Sequence, residues 1–161
     1  MDGAGTTTTL GAHAHRMTSP RLADVPVTTP RALRRRWAAV LEPPSSDARS
    51  FWLMWLHADG TALPLVVPVD ELPREPAPDT VARLVEMAAL LRDEHTAGTG
   101  HVAAALCRPG HATCTANDRR WADALGRAAA AAGLTDWSLH LAAGGEVVPL
   151  VAPPWPAGDE R

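Results

Sequence analysis

Five apolar runs of strand length constrain this chain more than any other feature. They are FWLMWLH (51–57), TALPLVVPV (61–69), HVAAALC (101–107), WSLHLAA (137–143) and EVVPLV (146–151). Each is short and bounded by turn residues, so each reads as a strand. Asp59-Gly60 separates the first two and Gly144-Gly145 the last two, which is the signature of two β-hairpins. Pro64 and Pro68 predict that the second strand lies at an edge or carries a bulge, because proline cannot donate to a ladder.

Between these runs the period changes to that of a helix. Leu33, Trp37, Val40 and Leu41 form one stripe of a helix starting at Pro30, and Pro43 and Pro44 stop it. Asp79 is the expected cap of a second helix running to Glu94, with Val81, Leu84, Val85, Ala88 and Leu91 on one face. Thr115-Ala-Asn-Asp118 opens a third, with Trp121, Leu125, Ala128 and Ala132 inward and Gly133 as its stop. The order is α β β α β α β β, an α/β domain with a mixed sheet flanked by helices. Trp52 and Trp55 sit three apart and therefore point to opposite faces of their strand. The Trp37 helix is the expected cover for the second face, giving three layers. A tryptophan left uncovered would instead mark an interface.

The 161 residues suit a single domain, expected over 30–152, between tails at 1–29 and 153–161. Both ends are poor in large apolar residues, so neither offsets the entropy of ordering. Fifteen arginines against eighteen acidic residues give a net charge of −3, which excludes a global basic field for nucleic acid. There is no lysine; the all-arginine set reads as a high-GC composition. No run reaches the roughly eighteen apolar residues of a membrane span, and the N-terminal stretch lacks the pattern of a secretory signal. Cys107 and Cys114 are too few for a disulfide scaffold, so a cytoplasmic protein is expected.

From Phe51 onward the element order and several residues resemble the JAB/MPN (JAMM) metalloprotease superfamily, in its bacterial RadC-like branch. FWLMWLHADG (51–60) matches that branch's first strand, and HVAAALCRPG (101–110) the strand that runs into H-x-H-P-S-G. TAND (115–118) matches the S-x-x-D helix opener, and SLHLAAGGEVVPL (138–150) the closing hairpin, with His140 at the family's histidine. The resemblance implies a three-layer, cytidine-deaminase-like architecture. Active members hold zinc with two histidines and an aspartate, beside a glutamate base, leaving one position open for an activated water. Here the histidine positions fall on Leu106 and Arg108, and the glutamate position on Arg49 or Ser50. Leucine cannot ligate, and a guanidinium is permanently cationic. Only Asp118 is retained, so the resemblance implies the fold without the family's chemistry and without a cofactor.

The expected function is therefore a non-catalytic JAB/RadC-like binding module, with another protein as its partner. Arg108, His111, Thr115 and Asp118 are its candidate binding residues. Arg108 beside Asp118 has two readings: recognition of an anion, or an internal ion pair. Thr115 and Asp118 also spell a capping box. Cys107, His111 and Cys114, spaced C-x3-H-x2-C, are the alternative metal ligands, with His101 or His140 as a fourth. Two other function classes compete. A hydrolase rebuilt on Cys107, His111 and Asp118 would need an exposed, activated thiol. A nucleic-acid-associated RadC-like protein would use RALRRRW (31–37), a stripe that otherwise reads as the solvated side of a helix. No Ser-His-Asp arrangement, phosphate-cradling glycine loop or dinucleotide fingerprint is legible.

Overall fold

A computed structural model describes residues 25–41 and 48–156. The elements follow the expected order: α1 (Pro30–Val40), β1 (Ser50–Leu56), β2 (Ala62–Val69), α2 (Pro78–Thr96), β3 (His101–Cys107), α3 (Ala116–Ala131), β4 (Trp137–Ala143) and β5 (Glu146–Val151). They build a five-stranded mixed sheet in the order β2-β1-β3-β4-β5. Only β3 and β4 run parallel, joined by the α3 crossover. The other neighbours, including the two hairpins, are antiparallel. β2 lies at an edge, where the missing N–H groups of Pro64 and Pro68 cost least.

The strict alternation of side chains along β1 and β3 divides the interior in two. Phe51, Leu53 and Trp55, with Val102, Ala104 and Leu106, pack against the inward stripes of α2 and α3. Met54 and Leu56, with Ala103, Ala105 and Cys107, face Leu33 and Trp37 of α1 and Leu41 just after it. The three-layer arrangement expected from the Trp52–Trp55 spacing is thus present. Trp55 is fully buried and donates from Nε1 to the Ala88 carbonyl at 3.0 Å. Trp52 is half-buried on the α1 side, so neither tryptophan is left uncovered.

Three local expectations need correction. Asp79 does not cap α2. Ala77 holds that position without a side-chain bond, Pro78 presets the first turn, and Asp79 sits within that turn, where its negative charge complements the positive end of the helix dipole. The domain also begins before Pro30: Val27 is buried, donates to the Gly60 carbonyl at 2.8 Å, and leads into Thr29, whose hydroxyl caps α1. At the other end Trp155 packs against the α1-side core, although 153–161 reads as a tail. Single apolar residues in polar segments carry no periodicity, which hides such docking from the sequence. The remainder of both expected tails, and Pro43 and Pro44, lie outside the described residues. Among the described residues, no helix is long and apolar enough to cross a membrane.

Candidate functional site

Thr115 and Asp118 form the predicted capping box. The Thr115 hydroxyl accepts from the Asp118 amide at 3.2 Å, and Asp118 Oδ2 accepts from the Thr115 amide at 2.9 Å. This box holds the start of α3 beside the end of β3, where Arg108 follows Cys107. Arg108 donates from Nε to Asp118 Oδ1 at 2.9 Å and from Nη2 to Oδ2 at 2.7 Å. Its remaining contacts run to the carbonyls of Pro109 and Thr113, at 2.9 and 3.0 Å. The fork is therefore spent inside the protein, and both partners are buried. Of the two readings open for Arg108, the geometry selects the internal pair.

The electrostatics agree. Burial alone would raise the Asp118 carboxyl, yet bonds from Arg108 and Thr115 outweigh it and hold the group below its ordinary range. The same carboxylate raises Arg108 above its usual value against the effect of burial. Arg49, just before β1, also feels Asp118; burial is the main influence on it and lowers its pKa. One buried carboxylate thus lies within the field of two arginines, an arrangement that disfavours a further cation there.

The pair braces the loop above it. His111, Thr113, Cys114 and Thr115 are exposed, while Arg108 reaches the loop's backbone from beneath. The β4–β5 turn closes against the same loop: a Cβ on Gly144, where φ is +57°, would meet the Gly110 carbonyl oxygen at 2.9 Å. Of the four expected binding residues, the fold brings Arg108, Thr115 and Asp118 into one network, and His111 stands outside it on the exposed loop.

The alternative metal ligands are not brought together. Cys107 is buried at the end of β3 and Cys114 is exposed; both are free thiols. Among the described residues no group of three His, Cys, Asp or Glu side chains is placed to hold a metal ion. Burial pushes the Cys107 thiol up to about 11, against a smaller opposing effect of a bond with Ser50. A thiol so sealed is not an activated nucleophile, which corrects the Cys107–His111–Asp118 reading.

One array has no counterpart in the sequence reading. His101 Nδ1 lies 2.6 Å from Asp136 Oδ1, and its Nε2 lies 2.8 Å from Ser138 Oγ. A hydrogen-bonded Ser–His–Asp series is thus present where none was legible. The signal was His101 heading one strand and Asp-x-Ser entering the next, but it needs the parallel register, in which Ala103 faces Ser138. Ser138 is fully buried, and Trp155 lies against the His101 ring with centroids 4.4 Å apart. With its hydroxyl sealed, the array fastens β3, β4 and the C-terminal segment together rather than presenting a nucleophile.

Against this geometry, comparison with known proteins adds nothing: no family model, curated protein or solved structure matches the chain.

Proposed function

We propose that this chain is a non-catalytic JAB/RadC-like domain that acts by binding, with a protein as its partner. The observation that carries the reading is the Arg108–Asp118 fork. In the resemblance, Asp118 is the surviving zinc ligand and Arg108 stands at a histidine position; here the two neutralise each other in a buried, bidentate pair. The element order and the T-x-x-D helix opening support the same framework. A carboxylate with three bonds accepted from Arg108 and Thr115 is a poor metal ligand, and the arginine supplies a fixed positive charge where a metal would sit. What the region offers instead is a braced, exposed loop carrying His111 and Thr113. A rigid loop loses little entropy when a partner docks on it.

The test has two arms. Protein purified without a histidine tag should contain no stoichiometric divalent metal, and a zinc ion lost on Asp118→Asn would overturn the reading. A photo-crosslinking residue at position 111 of the full chain, in its native cells, should join it to a discrete protein. Failure to trap any protein there, while position 83 on the exposed face of α2 traps one, would move the binding surface elsewhere.

A further inference from the structure

A second region of the molecule answers to a different ligand. α1 begins at Pro30 with no acidic residue in its first turn, and Arg31, Arg34 and Arg35 are exposed along its outer side. None of the three forms an ion pair with a described residue. The positive end of the helix dipole and its first arginine therefore lie together without compensation. Beside them α1, β4 and the C-terminal end of β5 enclose an open hollow of about 310 Å3, lined by Arg31, Arg34, His140, Pro149 and Pro153 among others. A neighbouring groove of about 400 Å3 shares Arg31 and Arg34 but also carries Glu146, whose charge opposes an anion there.

His140 supplies the independent observation. It is 1% exposed, it lines the hollow, and its Nδ1 has no hydrogen-bond partner. An unpaired polar atom in the interior costs free energy comparable to a lost hydrogen bond, so a partner is missing at this place. Burial, then the His101 and Arg34 charges, push its pKa from 6.5 to about 4, so the ring is neutral at pH 7 and retains one donor.

We propose that this hollow binds a phosphomonoester of a small apolar or aromatic group. Two guanidinium forks suit the several oxygens of a phosphoryl dianion, where a carboxylate would occupy only one. The neutral imidazole offers an oxygen a hydrogen bond without adding charge. The proline and alanine lining leaves room, beyond the phosphoryl group, for an apolar ester portion; the volume falls at the lower end of small-molecule sites, about 300–1,000 Å3. A concave site of this size favours a small molecule over a nucleic-acid backbone, which would track a longer basic surface. This site shares no residue with the Arg108–Asp118 loop, so the two proposals are tested separately.

Isothermal titration of the full chain with phenyl phosphate, and separately with inorganic phosphate, tests it. Phenyl phosphate should bind one to one and more tightly than inorganic phosphate. Arg34→Glu should weaken it by about tenfold or more, the scale of one lost charge-assisted pair. Arg83→Glu, on the far side of the sheet, should leave it unchanged. Because Arg34 is exposed, the variant should unfold at the wild-type temperature, and His140→Leu gives a second, interior variant that should also weaken binding. No binding of either probe would overturn the proposal. So would binding that survives Arg34→Glu, inorganic phosphate binding as tightly as phenyl phosphate, or duplex DNA held by these arginines while phenyl phosphate is not.

Discussion

Replacing Asp118 with Asn isolates the buried pair. The amide keeps one oxygen, which can still accept from the Thr115 amide and preserve the capping box. With that oxygen in the Oδ2 place, its nitrogen must face the Nε donor of Arg108, where Asp118 now accepts at 2.9 Å. A donor then opposes a donor, and a guanidinium is left buried without its counter-charge. Breaking one partner of a buried pair costs about 3–5 kcal/mol, so Asp118→Asn should lower the unfolding free energy by that amount. Asp118→Ala should cost about 1 kcal/mol more, since it also removes the box. Arg108→Met removes the orphaned charge, so the double variant Arg108→Met/Asp118→Asn should recover most of the loss. Urea unfolding followed by tryptophan fluorescence measures all of these, with Trp121 on α3 as a nearby reporter. The reasoning is refuted if Asp118→Asn costs less than about 1 kcal/mol, or if the double variant is as unstable as the single one. A wild-type protein destabilised by EDTA to the level of Asp118→Asn would refute it by another route, as the mark of a metal site.

Other outcomes follow from the same geometry. The His140 pKa is about 4 in the fold against 6.5 ordinarily, so the unfolded chain binds the extra proton first. That contribution to stability is complete above pH 6.5 and falls by about 1.4 kcal/mol per pH unit toward pH 4. Urea titrations over this range should show that slope reduced in His140→Leu, and an equal slope in both proteins contradicts the assignment. Gly60→Ala places a Cβ 2.6 Å from the Val27 carbonyl oxygen at a φ of +89°, and should cost about 2–4 kcal/mol by the same assay. In native protein a thiol reagent should modify Cys114 within minutes and leave Cys107 intact until denaturant is added. Mass spectrometry of the labelled peptides reads this directly, and prompt labelling of Cys107 would reopen the nucleophile reading.

How much was legible depends on the range of the interaction concerned. The hairpins at Asp59-Gly60 and Gly144-Gly145, the edge position of β2 and the capping box of α3 all rest on residues within a few positions of each other, and all are present. The second-face cover by Trp37 followed from side-chain alternation alone. The Arg108–Asp118 relation, ten residues apart, was open between recognition and internal pairing, because only the direction of the loop between them decides where the fork points. Arg49 illustrates the same gap: nothing in its sequence neighbourhood places it within the field of Asp118, sixty-nine residues on.

The chain by itself therefore determined its elements, their order and which faces they bury, since period and turn chemistry are local properties of a polymer. Beyond the local capping box, only the tertiary structure decided what its polar residues do. The register of β3 on β4 joined His101 to Asp136 and Ser138 across more than thirty residues, and the C-terminal segment laid Trp155 against the His101 ring. The packing of α1 against β5 left His140 Nδ1 without a partner in a hollow lined by Arg31 and Arg34. A polar side chain acts through whatever stands within a few ångströms, and that company is assembled by contacts between distant segments.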